Sequence, residues 1–308
     1  MAGPPPGNLS LQERLMRIAQ TLQFAWFVGH VAVLVATLKY IFNFVTFSYN
    51  TRGARFSYRT AFLFATITYG IVVYKGYRAR LRQNRSTGFF ALIGDENVQY
   101  LIMAFIWLFS PVKVSLAVLP FSVYSVFHVA TYTRANLLPA LQGPQPAGPD
   151  GRPKSTGLHQ TIGDFVKEYY DQSMFLVALL EISLWVRILI SVIFFRRGSW
   201  ILFALYTAFI RARFSQSPFV QSGVSQLVSR VDAIAANQQA PPQVRAAWET
   251  IKGFGRQATE ATDLSRYAGG KLSGGNPSGP SGSAGTSSSA SGLNTSTSSN
   301  TFGQRKSQ

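Results

Sequence analysis

The sequence predicts an all-α, multi-pass helical integral membrane protein with short or re-entrant hydrophobic hairpins, C-terminal amphipathic helices and a disordered tail. Three observations carry this. Of 308 residues, 47% are hydrophobic and only 13% charged, about half the charge of an average soluble domain. The apolar residues gather into runs at 22–47, 61–74, 98–130 and 174–210, each long enough or nearly long enough for the roughly 20 helical residues that cross a hydrocarbon core. The runs are continuously apolar rather than alternating, which excludes a barrel, so in lipid the backbone must be satisfied within helices.

Residues 1–23 are expected to form an N-terminal amphipathic segment. "MAGPPPGNLS" has no basic region and the apolar run beginning near Leu22 is too long for a signal core, so the run is expected to remain as a span. Ser10 and Glu13 make a capping-box pattern, and Leu11, Leu15, Ile18 and Leu22 recur on one helical face. A first membrane region follows at 24–138, then a Pro/Gly linker at 139–160 and a second membrane region at 161–214. The chain has no cysteine, which removes disulfides, thiolate metal sites and cysteine nucleophiles.

The net charge of +17 is carried largely by short loops beside the apolar runs. Retention of Lys and Arg on the cytosolic side accounts for this, and each contributes about 1 kcal/mol of attraction near an anionic surface. The expected headgroup contacts are Lys75, Arg78, Arg80, Arg82, Arg85, Arg134, Arg196, Arg197, Arg211 and Arg213. Neither an aromatic-basic sheet motif nor a basic recognition helix is present, so direct nucleic-acid binding is not expected. The run at 61–74 lies between Arg59 and Lys75, so one crossing would place one basic cluster in the lumen. Two solutions stand at this point. Either the run crosses regardless, or some runs enter and leave on one side, as the brevity of 98–109 and of "GSWILFALYTAFI" allows. A glycan on Asn84, in the sequon Asn84-Arg85-Ser86, would mark that loop as lumenal.

Lys39, Glu181 and Arg187 are the main charged residues inside the runs, and each is a functional candidate because a mid-bilayer charge costs about 2.5–3.5 kcal/mol. Glu181 and Arg187 stand about 240° apart around a helix, which argues against their pairing. A small-solute or ion transporter using these three residues is the alternative reading, though no internal repeat supports it. His30, His128 and His159 show no zinc spacing, and there is no phosphate loop or nucleophile elbow. The chain is therefore read as non-enzymatic and without a cofactor. Asp95 and Glu96 suit the N-terminus of a helix. His128 reads as a packing or interfacial histidine, and Thr131, Tyr132, Thr133 and Arg134 as a headgroup collar where a helix leaves the bilayer.

"SPVKVSLAVLPFSVYSVFHVATYTRANLL" at 110–138 resembles the transmembrane protein 33 family, as do "SYRTAFLFA" at 57–65, "GDENVQYLIMAFIW" at 94–107 and "YTAFIRARFSQSPFVQSGVSQL" at 206–227. The resemblance covers about Tyr49 to Leu227 and rests on several unrelated motifs in one order. It implies a protein of the endoplasmic reticulum and nuclear envelope whose partners are the lipid bilayer, reticulon-type membrane-shaping proteins and nuclear pore components. It carries no catalytic residue.

Residues 215–267 are expected to form amphipathic helices. Phe219, Val220, Val224, Leu227, Val228, Val231 and Ile234 make one apolar stripe, and Val244, Trp248, Ile251 and Phe254 a second. A weakly charged polar face suits insertion into the packing defects of curved membrane, and packing on protein is the other use of such a stripe. The tail at 268–308, rich in Gly, Ser and Thr, has too little apolar surface to offset its ordering entropy. Together these features predict a non-enzymatic protein that shapes or organises curved membrane, and the resemblance adds the expectation of a role in the assembly or distribution of nuclear pores.

Overall fold

A computed structural model describes residues 10–83, 92–142, 157–236 and 241–261. Asn84, Arg85, most of the Pro/Gly linker and the 268–308 tail lie outside the described residues, as does the side chain of Val244. Among the described residues every regular element is helical. The chain divides into two units, 1–240 and 241–308.

Short polar caps start the helices where the sequence places them. Ser10 and Glu13 complete a capping box at the start of α1 (Leu11–Ala19), and that pairing holds the Glu13 carboxyl below its ordinary range. Thr21 opens α2 (Leu22–Val45) by accepting the Phe24 N–H at 3.1 Å, and Thr51 opens α3 (Arg52–Arg82) through the Ala54 N–H at 3.2 Å. Asp95 caps α4 (Glu96–Phe109) through the Asn97 N–H at 2.9 Å. A 3-10 turn at Ser115–Ala117 leads into α5 (Val118–Tyr132), which continues through a π turn, Thr133–Leu137, into α6 (Leu138–Gln142). α7 (Gly157–Ile193) and α8 (Ser199–Gln216) form a hairpin that turns at Gly198, whose φ of 80° suits a residue without Cβ. Ser217 and Pro218 then start α9 (Pro218–Ala235), and α10 (Pro242–Ala261) belongs to the second unit.

Four segments are long and apolar enough to cross a membrane: α2, α3, the run from Ser115 to Gln142, and α7. α4 is a shorter apolar helix. The first unit is thus a multi-pass helical membrane bundle. The 61–74 run lies within α3, one unbroken helix of 31 residues that includes both basic flanks. At 1.5 Å per residue it is about 46 Å long, against a hydrocarbon core of about 30 Å. Both ends therefore project, and Arg52, Arg55 and Arg59 lie at the opposite end from Lys75, Arg78, Arg80 and Arg82. α7 is likewise longer than a span, and its exposed Asp164, Lys167, Glu168 and Asp171 precede the apolar stretch.

α2, α3, α4 and α5 alternate in direction, as their paired ends show. Tyr40 and Tyr58 bond Ser115 Oγ and the Val114 carbonyl at one end, at 2.8 and 3.3 Å. At the other end Arg80 pairs with Asp95 at 2.7 Å, and Gln216 donates to the Gly94 carbonyl at 3.1 Å. Phe47 and Phe195, which close α2 and α7, adopt left-handed φ values of 56° and 50° and face outward. That conformation disfavours a side chain by about 1–2 kcal/mol, so these exposed rings occupy positions that a glycine would fill with less strain.

The core is an aromatic lattice of Tyr58, Phe62, Tyr69, Tyr100, Trp107 and Phe121, joined by Tyr206 and Phe209. Lipid tails are as apolar as these rings, so shape and polar contacts, rather than escape from water, hold such helices together. Small residues permit the close approach. Ala54, Ala61 and Ala65 are buried along α3, and a Cβ on Gly29 would meet Thr68 Cγ2 at 2.5 Å. Gly29→Leu is therefore expected to push α2 from α3 and destabilise the bundle by about 1–3 kcal/mol. Thermal unfolding of the purified variant in detergent would read this, and an unchanged midpoint would refute the close crossing.

Candidate functional site

A buried ion pair with its polar partners sits where α4, α5, α7 and α8 meet. Glu181 is 1% exposed and Arg213 is 4% exposed. Arg213 Nε donates to Glu181 Oε2 at 3.4 Å, and Arg213 Nη1 lies 3.0 Å from Glu96 Oε1. The Tyr100 hydroxyl donates to Glu181 Oε1. Because that proton is committed, the Tyr124 hydroxyl must donate across the 2.9 Å to Tyr100, and Arg213 Nη2 in turn donates to Tyr124 at 3.4 Å. Tyr206 donates to the Glu181 carbonyl oxygen at 3.3 Å, and the Arg213 guanidinium sits over the Tyr100 ring, 5.2 Å from its centroid. A carboxylate and a guanidinium paired in this way form a clasp between helices. The void beside them measures about 10 Å³, at the lower limit of what one water needs.

This arrangement corrects the reading of Arg213 as a headgroup contact. Its side chain is turned inward because Glu181, on the preceding antiparallel helix, would otherwise be a buried charge without a cation. The residues named for transport do not share a path. Lys39 and Arg187 face outward from the bundle, and Glu181 is enclosed. Arg187 donates to Ser191 Oγ at 2.6 Å rather than to Glu181.

A second polar seam joins α2 to α5. Ser125 Oγ donates to the Phe121 carbonyl at 2.7 Å, so the His30 Nδ1 at 2.9 Å is the protonated nitrogen and donates to Ser125. His128 packs its ring on Trp26 and His30, with centroids 4.9 and 4.6 Å away. It is a packing histidine between helices. The collar residues lie within a helix that continues beyond them. The helix passes through the π turn to Gln142, and Tyr132 is buried with its ring stacked on Phe27 at 4.6 Å. Sequence polarity could not show this, because the apolar body of a tyrosine packs on protein as readily as it sits at an interface.

The other basic residues divide in two. Lys75, Arg78, Arg82, Arg196 and Arg197 are exposed, and Arg211 is half-buried near Phe214. Arg80 is engaged with Asp95, and the Arg134 guanidinium occupies the space beside Gly163, where a Cβ would meet its Cζ at 2.7 Å.

The C-terminal stripes also divide. Val220 is fully buried, which corrects its assignment to a membrane face, and a Cβ on Gly223 would meet Ile182 Cδ1 at 3.2 Å. The first turns of α9 are held against α7 by this close approach. Phe219, Val224 and Val228 are half-buried, whereas Leu227, Val231 and Ile234 face outward, Ile234 at 68% exposure. In the second unit, Ile251 and Phe254 are exposed on α10 and Trp248 is half-buried, with Lys252 paired to Glu249 at 2.7 Å. Exposed apolar side chains therefore continue along the amphipathic helices after the bundle ends.

Comparison with known proteins places this architecture. The family model described as transmembrane protein 33/nucleoporin POM33 matches residues 4–259. Nucleoporin POM33 of Chaetomium thermophilum is 50% identical over 280 residues, covering 88% of this chain and 97% of the relative. The pore membrane protein of 33 kDa of Saccharomyces cerevisiae is 30% identical, over 80% of this chain and 87% of its own length. Tetra-spanning protein 1 of Schizosaccharomyces pombe is 32% identical, over 79% of this chain and 86% of its own. Its name agrees with the four segments able to span a membrane here. No solved structure matches the chain. On the strength of the match and these relatives, the chain belongs to the transmembrane protein 33/nucleoporin POM33 family, and it is a multi-pass membrane protein of the endoplasmic reticulum and nuclear envelope.

Proposed function

We propose that this protein is a non-enzymatic organiser of curved membrane, acting in the assembly or distribution of nuclear pores through pore components and reticulon-type membrane-shaping proteins. The names of relatives, a nucleoporin and a pore and endoplasmic reticulum protein, support the place of action. The observation that carries the mechanism is the outward apolar stripe of Ile251 and Phe254 on α10, opposite a polar face, in a chain whose other unit is a membrane bundle. A helix of this form inserts its apolar face where lipid packing is loose, and tethering it to an integral bundle raises its effective concentration at the membrane.

The test uses the full chain with Ile251→Asp and Phe254→Asp. Each substitution removes roughly 1.5–3 kcal/mol of apolar insertion. Enrichment of the fluorescent protein at pores or tubules is expected to fall although the protein still inserts in the nuclear envelope and reticulum. In parallel, a 216–260 fragment is expected to bind small vesicles at least tenfold better than large ones. Equal binding to both, or normal enrichment of the double variant, would overturn the curvature reading.

A further inference from the structure

A cavity of about 770 Å³ opens between the end of α2, the loop before α5 and the last turns of α7. Its size is within the roughly 300–1,000 Å³ of sites that enclose small molecules. Ile41, Phe44, Leu119, Val186 and Ile190 make apolar walls, and the two cations on its lining are Lys113 and Arg187. Arg187 stands on the outward face of α7, about 9 Å along the axis from the last residue, Ile193. Arg187 is thus near one end of a helix long enough to span a membrane, and such an end is where headgroups and acyl chains meet.

Among the described residues no acidic side chain pairs with Lys113 or Arg187. None of its lining residues is acidic. The sequence contains no Asp or Glu from 14 to 94, from 97 to 149 or from 182 to 231, the segments that form this end of the bundle. Arg52, Arg55, Arg59, Arg196 and Arg197 add further positive charge at the same end. Lys113 is pushed below its ordinary range by partial desolvation and then by the like charges of Arg55 and Arg59. The nearest acid in sequence to Arg187 is Glu181, which is enclosed with Arg213. A guanidinium that spends one N–H on Ser191 keeps others for an anion.

We infer that this cleft binds one anionic glycerophospholipid, its phosphate held between Lys113 and Arg187 and an acyl chain lying on Ile41, Phe44, Leu119, Val186 and Ile190. The bilayer supplies such a molecule at such a helix end, and apolar walls joined to two unopposed cations match its two chemical halves. A zwitterionic lipid brings a cation of its own beside the phosphate, and free phosphate has no acyl chain. The inference does not depend on curvature sensing by α10.

The test measures lipid retained by the purified full chain in detergent, using native mass spectrometry with added phosphatidylserine, phosphatidylcholine or inorganic phosphate. The intact protein is expected to retain phosphatidylserine over phosphatidylcholine, and inorganic phosphate at equal concentration should leave it bound. Lys113→Gln and Arg187→Gln are each expected to weaken retention about fivefold, and together about 25-fold. Leu119→Trp, which fills the cleft without changing charge, is expected to abolish it. Unchanged retention in the double variant, equal retention of phosphatidylcholine, or displacement by phosphate would overturn the inference. Should Arg187→Gln fail to fold, Lys113→Gln in the exposed loop decides the question, with its melting point as the check on folding.

Discussion

Arg213→Ala is expected to destabilise the membrane bundle by about 3–5 kcal/mol, because it leaves the Glu181 carboxylate enclosed without its cation. The effect should spread beyond the pair. Arg213 also reaches Glu96 and Tyr124, so its loss releases α8 from α4 and α5 together. Glu181→Ala should cost a comparable amount by stranding the guanidinium. The double variant Glu181→Gln with Arg213→Gln is expected to recover much of the loss, since two neutral amides can bond each other and the tyrosines. Thermal unfolding in detergent followed by tryptophan fluorescence would measure all three. If Arg213→Ala cost less than about 1 kcal/mol, in the range of a surface pair, the clasp would be open to water and the buried assignment wrong. Preserved stability with altered ion flux in liposomes would instead favour the transport reading.

Trp107→Ala is expected to cost about 3 kcal/mol, near the low end of the roughly 3–5 kcal/mol measured for large aromatic truncations in water-soluble cores. The lower figure follows from the solvent. In a bilayer the truncated site loses packing but not protection from water, so the cavity carries most of the effect. Trp107 is 1% exposed and meets Phe62 of α3 at 6.3 Å and Tyr206 of α8 at 6.0 Å between ring centroids. α4 is too short to be held by its own span, so this ring is a principal link between it and the rest. Trp107→Phe should retain much of the stability. Protease nicking of the loop before α4 at lower temperature in Trp107→Ala than in the parent would report the loosening, and identical cleavage profiles would count against it.

Much of the fold was legible in residues. The capping box at Ser10 and Glu13 is formed, Asp95 caps α4 as its position before an apolar run suggested, and apolar runs became helices because lipid allows the backbone little else. The partition of basic residues was less legible. A largely apolar run of 14 residues between Arg59 and Lys75 looks like a shallow insertion when only that part is counted. The structure continues α3 through both basic flanks, because long Lys and Arg side chains reach headgroups from inside a helix. Glu181 and Arg213 lie equally far along the chain from Arg197, so folding the sequence into a hairpin at that turn would have faced them. Charge type alone placed Arg213 at the surface.

By itself, then, the sequence determined the class, several helix starts, and the family. These depend on composition, short-range capping and local order, all of which are properties of neighbours along the chain. The tertiary structure alone decided that Arg213 serves Glu181, that Tyr132 and Val220 face protein, and that Lys113 and Arg187 share a cleft. A helix presents side chains all around its axis, and only the rotation of each helix against its neighbours settles whether a given face meets protein, headgroup or acyl chain.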